Sequence, residues 1–382
     1  MFKRTLEPII LELSHQYPVI SITGPRQSGK TTLSRKLFPK YHYANLEDPL
    51  TREFAQNDPR AFLDQDSKMI IDEIQRVPKL FSFLQVIVDN DKNKKFIITG
   101  SQNFLISEKI SQTLAGRVAI FKLLPLSLLE FKNNHSQPKN LIEFLLNGAY
   151  PKIYDQQLDA SKWYSYYIET YLQRDVREIK AITHLSQFQK FLTLLAGRTG
   201  QILNLASLGN DTGVSSTTIS SWLSILEASY IVFRLLPYQK NINKRLVKSP
   251  KIYFYDTGLA CALLNIKNED ELKTHPLIGN IFETFVVSEF IKENLHQQQS
   301  IDFYFFRDKS GNEIDLVYSK KSLLNLVEIK SAQSFNPKFM KVFKYFESII
   351  VDKKVNNSII YAGGEIQKRS NFELLPWNQF EL

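Results

Sequence analysis

Residues 17–32 have the sequence YPVISITGPRQSGKTT, and this stretch decides the fold of the first part of the chain. The apolar run at residues 18–22 predicts a buried strand, and residues 32–38 predict the start of a helix. Between them, residues 24–31 fit the pattern G-x-x-x-x-G-K-[ST] at every fixed position. This is the context that a phosphate-binding loop, or P-loop, requires, so the sequence predicts a nucleotide site; the alternative is a chance glycine-rich turn.

The residue types of this loop suit a nucleoside triphosphate. Gly24 and Gly29 let the backbone turn tightly and approach a phosphate, and the N–H groups of the loop and of the following helix bind anions. Lys30 is expected to reach the β- and γ-phosphates of ATP, and the hydroxyl of Thr31 is expected to bind Mg²⁺. The residues predicted to contact the nucleotide are Gly24, Pro25, Arg26, Gln27, Ser28, Gly29, Lys30, Thr31 and Thr32.

A second motif, KMIIDEIQR, occupies residues 68–76. Residues 69–71 predict a central parallel strand that ends at Asp72 and Glu73, which is a Walker B pattern. Asp72 is expected to hold Mg²⁺, directly or through water, and Glu73 to orient and deprotonate the attacking water. Paired acids at a strand end also occur in ordinary loops, which is the alternative.

Three further residues are candidates for a role at the γ-phosphate. The sequence KKFIITGS, at residues 94–101, predicts a third buried strand, and Thr99 or Ser101 at its end is a candidate sensor; a simple strand-end turn is the alternative. Arg117 follows a Leu-Ala-Gly turn and precedes an apolar strand at residues 118–123. An arginine there can stabilise transition-state charge in its own subunit or in a neighbour, or it is a surface arginine near a turn.

Composition narrows the class of protein. The 382 residues carry a net charge of +9, which permits acidic partners such as nucleic acid but is weak support alone. Cys261 is the only cysteine, so an intrachain disulfide or a cysteine-cluster metal site is excluded, and a cytoplasmic location is the simplest expectation. The first ten residues lack the apolar core of a signal peptide, and no run of 18 apolar residues predicts a membrane span.

The middle of the chain predicts the element order of a winged helix. The predicted elements are helices at residues 188–198, 203–208 and 215–228 and strands at residues 231–236 and 251–255. The third helix begins with short hydroxyl side chains that suit phosphate contacts but also cap helices. The basic residues where a wing would lie are Lys240, Lys244, Arg245, Lys248 and Lys251. Side chains that read bases are missing from the helix start, so the sequence does not decide between two alternatives. The region either contacts DNA or is a purely structural domain.

A long helix predicted at residues 163–179 carries a charged group at its end. Arg174, Asp175 and Arg177 are candidates for a contact between subunits or domains, and a solvated charged face is the alternative.

The last third of the chain carries a second constellation of charged residues. Glu283 lies on a predicted helix, Asp315 begins a predicted strand, and Glu328-Ile-Lys330 lies on the next strand. Strand alternation puts Glu328 and Lys330 on one face. Two carboxylates can hold Mg²⁺ while the lysine polarises a scissile phosphate or its attacking water. This order of an acid followed by E-x-K resembles the core of restriction endonucleases.

The motifs together resemble a widespread group of prokaryotic AAA-superfamily ATPases. The matching stretches are residues 24–32, 70–76, 97–101, 114–117 and 125–130. The resemblance implies an ATPase coupled to a C-terminal domain of unknown function whose last part looks like a restriction-endonuclease core. Such cores also survive as nuclease-inactive binding modules, so cleavage stays open.

These observations predict an α/β protein in three parts. Residues 1–135 are expected to form a doubly wound P-loop ATPase domain, residues 136–250 a helical, winged-helix-like region, and residues 251–382 a restriction-endonuclease-like domain. The first hypothesis is an Mg²⁺-dependent ATPase that couples its nucleotide state to DNA binding, with DNA cleavage left open. The alternative is an ATP-dependent protein-interaction switch with an inactive nuclease-like domain. A homo-oligomer is compatible with either.

Overall fold

The computed structural model describes residues 1–101, 112–136, 138–172, 185–238, 247–350 and 354–382, with only the backbone given for residues 171–172. Within this part of the chain, no helix combines the length and the apolar character needed to cross a membrane.

The first part of the chain folds around a parallel sheet of five described strands in the order β2-β3-β4-β1-β5. The strands are β1 (Val19–Thr23), β2 (His42–Asn45), β3 (Lys68–Asp72), β4 (Lys95–Gly100) and β5 (Val118–Lys122). The accompanying helices are α1 (Glu7–Gln16), α2 (Lys30–Leu37), α3 (Pro49–Asn57), α4 (Pro59–Asp64) and α5 (Leu80–Asn90). Parallel pairing needs crossover connections between strands, and α2 to α5 lie in the connections from β1 to β4.

Both faces of this sheet are covered. Val19, Ile71 and Ile98 pack on one face with residues of α5, whereas the neighbouring Ile20 and Ile97 pack on the other with residues of α1 and α2. Strands that are buried on both faces are continuous apolar runs, as the sequence showed. The predicted doubly wound parallel sheet is therefore confirmed.

The middle of the chain is mainly helical. Its helices are α6 (Leu128–Asn133), α7 (Leu141–Asn147), α8 (Pro151–Asp155), α9 (Ala160–Tyr167), α10 (Leu185–Ala196), α11 (Leu205–Thr212), α12 (Ser216–Ala228), α13 (Thr257–Leu263) and α14 (Glu269–Thr274). The backbone of α9 continues as a π-helical turn, Ile168–Leu172. Three strands accompany these helices, β6 (Gln201–Ile202), β7 (Val232–Pro237) and β8 (Lys251–Phe254).

The hairpin of β7 and β8 crosses the boundary that we expected at residues 250 and 251. Arg234 pairs with Ile252 in the antiparallel ladder of these two strands, and β6 pairs with the other edge of β8. Since β8 lies between β6 and β7, it belongs structurally with the middle region.

The last part of the chain continues the same sheet. Its helices are α15 (Ile278–His296) and α16 (Lys341–Ile349), and its strands are β9 (Phe303–Arg307), β10 (Glu313–Lys320), β11 (Leu323–Lys330), β12 (Val355–Tyr361), β13 (Gln367–Arg369) and β14 (Phe372–Pro376). The strand order is β13-β14-β12-β11-β10-β9-β7-β8-β6. Because β7 pairs with β9, the middle and last parts of the chain share one continuous sheet.

Helix α15 lies between the two sheets and is buried on nearly every side. Its apolar residues, among them Ile281, Phe285 and Phe290, belong to the core of the C-terminal part. The same helix also contacts β5 of the first sheet. A helix in this position has no solvated stripe for its charged residues, so those near its end need partners within the protein.

Candidate functional site

The P-loop has a backbone that requires glycine at its start. Gly24 has a φ of +151°, and a Cβ added there would lie 2.1 Å from the carbonyl oxygen of Leu123. Gly29, with a φ of +96°, precedes α2, whose first residue is Lys30. Both glycines therefore serve the tight turn and close approach that the motif predicted.

Lys30 is buried against the loop that it follows. Its ammonium group donates hydrogen bonds to the carbonyl oxygens of Gly24, at 2.9 Å, and of Pro25, at 2.8 Å. The side chain also lines the cavity beside the loop. The lysine is thus held where a phosphate bound by the loop would meet its charge.

The two predicted magnesium ligands are in direct contact. The hydroxyl of Thr31 donates to Oδ2 of Asp72 at 2.8 Å, which brings the P-loop and the end of β3 together. Tyr43 donates to the same oxygen at 2.8 Å, and Thr99 donates to Oδ1. A hydroxyl and a carboxylate are the hard oxygen donors that Mg²⁺ prefers, so this pair fits the ion.

Glu73 lies immediately after β3 in a left-handed backbone conformation, with a φ of +56°. Its Oε2 accepts a hydrogen bond from Ser101 at 3.2 Å and another from Gln75. Burial raises the pKa of Glu73, but the nearby charges of Lys30 and Arg26 and these hydrogen bonds outweigh it and lower the pKa overall. The carboxylate is therefore ionised at neutral pH. Ser101, a candidate sensor, binds the candidate base.

A cavity of about 440 Å³ opens over the P-loop, and we call it the nucleotide cavity. On one side it is lined by the loop, Asp72 and Glu73, and on the other by Lys152, Asp155 and Gln156 in and beside α8. The sequence did not mark this second wall, because its residues carry no motif. The cavity consequently lies between the first sheet and the middle region.

Arg117 lies at the opposite edge of the sheet. It precedes β5, whose first residue Val118 pairs with Val19 at the start of β1, whereas the P-loop follows the end of β1. A five-residue strand separates the two edges by about 16 Å. The Arg117 guanidinium pairs with Asp89 through contacts of 2.6 and 2.9 Å. The predicted role of Arg117 at the site of its own subunit is therefore wrong, because the length of the strands separates the arginine from the P-loop. A role in a neighbouring subunit stays a prediction.

The four charged residues predicted near the C-terminus come together. The ammonium of Lys330 lies 2.5 Å from Glu328 and 3.6 Å from Asp315. Asp315 also accepts a hydrogen bond of 2.8 Å from the backbone N–H of Ile329. Glu283, on α15, has a carboxylate oxygen within 4.8 Å of one from Asp315.

Two residues of this constellation were not foreseen. Glu313 contributes a further carboxylate to the same group, which we call the acidic cluster: Glu283, Glu313, Asp315 and Glu328. Lys251, on β8, lies 2.7 Å from Glu283 and 2.5 Å from Glu313. Glu313 was detectable in principle, because it lies two residues before Asp315 and so on the same strand face. Lys251 was predicted as a wing residue, which is wrong because it is only 1% exposed.

The carboxyl groups of the acidic cluster are strongly perturbed. Burial raises the pKa of Glu283 to about 7, an effect that Lys251 opposes and the charge of Asp315 reinforces. Burial and the charge of Asp315 also raise the pKa of Glu328 well above its usual range. The fold thus brings together carboxylates that repel one another and that need nearby cations.

Buried polar contacts tie the P-loop to the rest of the molecule. The guanidinium of Arg4 donates to the carbonyl oxygen of Ser28 at 2.8 Å, to that of Leu124 at 2.6 Å and to Oε1 of Glu130 at 3.0 Å. Burial raises the pKa of Glu130, but Arg4 and His296 outweigh it and lower that pKa to about 2. Arg4 belongs to no motif, so nothing in the sequence pointed to this role.

Helix α15 is bound to the chain segment that follows β5. The backbone N–H of Leu124 donates to Nε2 of His296 at 3.2 Å, and that of Leu128 donates to Glu289 at 2.5 Å. Lys292 donates to the carbonyl oxygen of Leu126 at 3.2 Å. The helix that carries Glu283 is therefore bonded to the same segment as Arg4.

Several predicted contact residues lie outside the described part of the chain. They are Arg174, Asp175, Arg177, Lys240, Lys244 and Arg245. Of the polar helix start, Ser215 caps α12, since its hydroxyl accepts a hydrogen bond of 3.1 Å from the N–H of Thr218. This is the structural role that the sequence left open beside phosphate contact.

Three protein families match the chain. Residues 16–132 match a family described as an AAA domain. Residues 138–270 and 278–380 each match a family described as a domain of unknown function. The first match, together with the five-stranded parallel sheet, shows an AAA domain of the P-loop ATPase type.

Similar proteins occur in bacteria and archaea. Uncharacterised proteins of Mycobacterium tuberculosis and Mycobacterium bovis are each 30% identical over 356 residues, which cover 91% of this chain and 77% of the relative. An uncharacterised protein of Methanocaldococcus jannaschii is 23% identical, over 88% of this chain and 79% of its own length. Among solved structures, a Walker-type ATPase of Pyrococcus abyssi aligns with a TM-score of 0.46 and 16% identity, over 69% of this chain and 96% of that one.

Proposed function

The chain belongs to the same family as the two uncharacterised mycobacterial proteins, and we propose that it is an Mg²⁺-dependent ATPase whose nucleotide state is coupled to its C-terminal part. The observation that carries the proposal is the contact of Thr31 with Asp72, with Glu73 beside it. A P-loop hydroxyl, a strand-end carboxylate and an adjacent ionised glutamate are the groups that ATP hydrolysis uses.

In this proposal the loop and Lys30 bind the phosphates. The N–H groups at the start of α2 and the positive end of that helix attract the β- and γ-phosphates, and the Lys30 ammonium neutralises their charge. Thr31 and Asp72 would hold Mg²⁺, which supplies further positive charge at the phosphate oxygens. The loop residues from Gly24 to Thr32 then fix the orientation of the triphosphate.

Glu73 acts on the attacking water in the proposed reaction. Its lowered pKa keeps it ionised, so it can accept a hydrogen bond from water and orient that water toward the γ-phosphate. Ser101 and Gln75 hold the carboxylate in place. Ser101 is thus a positioning residue for Glu73.

Coupling to the rest of the chain is supported by what surrounds the site. Because the nucleotide cavity has one wall on the first sheet and one beside α8, a bound nucleotide would contact both. Arg4 hydrogen-bonds the loop carbonyl of Ser28 and also pairs with Glu130, which is close to α15. A change in the loop can therefore bias the position of α15, the helix that carries Glu283.

DNA is the first candidate partner of the middle and C-terminal parts. The order α10, β6, α11, α12, β7, β8, with β6 and β7 on either side of β8, is that of a winged helix and supports this candidate. The net charge of +9 is compatible with a polyanion. The order α15, β9, β10, β11, α16, β12 supports a restriction-endonuclease-like core.

A protein partner is the second candidate, with a nuclease-like core that does not cleave. The observation that favours it is the buried Lys251 among the acids of the acidic cluster. In this version nucleotide binding changes a protein-binding surface, and the acidic cluster has a structural role.

ATP turnover with Mg²⁺, measured with and without duplex DNA at two salt concentrations, separates these functions. DNA-stimulated turnover and salt-sensitive DNA binding support the first candidate. Turnover that DNA leaves unchanged, in a protein without DNA affinity, supports the second. A protein without any ATP turnover under these conditions contradicts the proposed ATPase.

A further inference from the structure

More positively charged side chains contact the acidic cluster than a metal-dependent nuclease site can accommodate. A site of that kind leaves two or three carboxylates open to a divalent ion, with one lysine beside the phosphate. Here the carboxylates of Glu283, Glu313 and Asp315 have oxygens within 4.8 Å of one another, which by spacing alone would suit an ion. Whether they fit one depends on what else contacts those oxygens.

Lys251 contacts two of the three. Its ammonium lies 2.7 Å from Oε1 of Glu283 and 2.5 Å from Oε1 of Glu313. Tyr253, two residues further along β8, donates to the same Glu283 oxygen at 2.6 Å. The side chain of Lys251 is almost completely buried and so has no solvated position nearby to which it can easily withdraw.

The other carboxylates of the cluster have cations of their own. Lys330 lies within ion-pair distance of Asp315 and Glu328. Arg307 pairs with the second oxygen of Glu313 at 2.8 Å. Each of the four acids of the cluster thus has a lysine or arginine contact.

A divalent ion would compete with Lys251 for the same oxygens. Ca²⁺ and Mg²⁺ bind carboxylate oxygens at about 2.0–2.6 Å, which is close to the distances at which the ammonium already lies. Two cations that share buried ligands repel each other strongly, because water cannot screen them there. The donor set therefore does not fit a metal while Lys251 stays in place.

We propose that Lys251 is the resident cation of the acidic cluster. Its ammonium takes the place that a divalent ion would have, and it joins β8 of the middle region to α15 and β10 of the C-terminal part. The C-terminal part consequently folds without metal and does not cleave nucleic acid. This role of Lys251 goes beyond ATP turnover and does not depend on it.

Manganese titration of the full-length protein tests this role. The chain carries Asp72→Asn throughout, so that the P-loop site does not contribute to the signal, and Mn²⁺ binding is followed by electron paramagnetic resonance. In this Asp72→Asn parent chain, we expect Mn²⁺ binding to be the same with and without a further Asp315→Asn substitution. We also expect the parent not to nick plasmid DNA in the presence of Mn²⁺. Binding or nicking that depends on Asp315 overturns the proposal.

Replacement of the lysine gives the complementary result. Lys251→Met keeps an apolar stem of similar length but removes the charge, so the acids lose their counter-ion. We expect this variant to have a lower melting temperature and to gain a Mn²⁺ site at least tenfold tighter than any in its parent, and we expect Mn²⁺ to restore the lost stability. Lys251→Arg should stay metal-free.

One control completes the design. Lys248→Met removes an exposed lysine of the same segment and should change neither the metal affinity nor the melting temperature. A Lys251→Met variant that folds with unchanged stability and gains no Mn²⁺ site overturns the proposal, because the acids would then not need this cation. If Lys251→Met does not fold, the titration of the parent chain still decides.

Discussion

The hydroxyl groups of Thr23 and Tyr230 lie 2.7 Å apart in the protein interior, and this hydrogen bond joins two parts of the chain that are 207 residues apart. Thr23 is the last residue of β1 and directly precedes Gly24 of the P-loop. Tyr230 lies between α12 and β7 in a left-handed backbone conformation, with a φ of +56°. The middle region therefore contacts the strand from which the P-loop begins.

Replacing Tyr230 with phenylalanine removes this contact and little else. We expect Tyr230→Phe to lower the free energy of unfolding by about 1 kcal/mol, since one buried hydrogen bond is lost while Thr23 keeps its bond to the carbonyl of Phe121. Denaturant unfolding measures this change. Tyr166→Phe, at a position that is 67% exposed, is the matched control and should have no effect. Equal loss in both variants would contradict the interpretation.

Arg4 should contribute more to stability than Tyr230 does, because it neutralises a carboxylate with no exposed surface. Arg4→Met leaves Glu130 buried without its main cation, and breaking a buried pair in this way costs about 3–5 kcal/mol. Adding Glu130→Gln removes the stranded charge, so the double variant should recover part of this stability in thermal unfolding. Arg60→Met, whose arginine is 81% exposed, should change it little. A double variant less stable than Arg4→Met would contradict this account.

The elements that the sequence predicted are those determined by short stretches of chain. The P-loop, Asp72 and Glu73 each follow a buried apolar run, and a parallel strand presents its carboxyl-end residues at one edge of the sheet. The convergence of Asp315, Glu328 and Lys330 was predictable for the same reason, since alternation along neighbouring strands fixes their face.

The residues that were missed depend on contacts between distant segments. Arg4 and Glu130 are 126 positions apart, and neither belongs to a motif. Lys251 was expected among the basic residues of a wing, but the pairing of β8 places it in the interior beside Glu283. Arg117 was misplaced because the sequence does not show that the strand after it runs parallel to β1, and this direction is what puts the arginine at the edge away from the P-loop.

Arg117 can act only on the nucleotide of a neighbouring chain. If it does, Arg117→Ala should reduce ATP turnover by about 10³–10⁵ at protein concentrations where chains associate. Mixing this variant with a Lys30→Ala chain should restore activity, because one chain then has the intact site and the other supplies the arginine. Asp89→Asn breaks the surface pair and keeps the arginine, so its turnover should stay normal. A loss below about threefold in Arg117→Ala means that the residue is structural.

Glu293 gives the protein a pH dependence that a single substitution removes. Burial, reinforced by the charges of Glu289 and Glu381 and opposed by the N–H of Leu382, raises the pKa of Glu293 to about 7. Between about pH 4.5 and 7 the folded chain therefore keeps a proton that the unfolded chain releases, and stability falls as the pH rises.

The change in the free energy of unfolding caused by Glu293→Gln should accordingly be more favourable at pH 8 than at pH 5, by up to about 3 kcal/mol. Guanidinium unfolding of both proteins at the two pH values isolates this effect, since other titrating groups cancel in the comparison. The same stability difference at pH 5 and pH 8 would show that Glu293 does not titrate in this range.

ATP turnover in three matched proteins tests the central proposal most directly. With Mg²⁺ present, the wild-type chain should hydrolyse ATP. Lys30→Ala should lose most of both binding and turnover, because the charge that neutralises the β- and γ-phosphates is gone. Glu73→Gln should still bind ATP but hydrolyse it far more slowly, because only the activation of water is lost. Equal rates of ATP hydrolysis in the wild type and in Lys30→Ala would contradict the account.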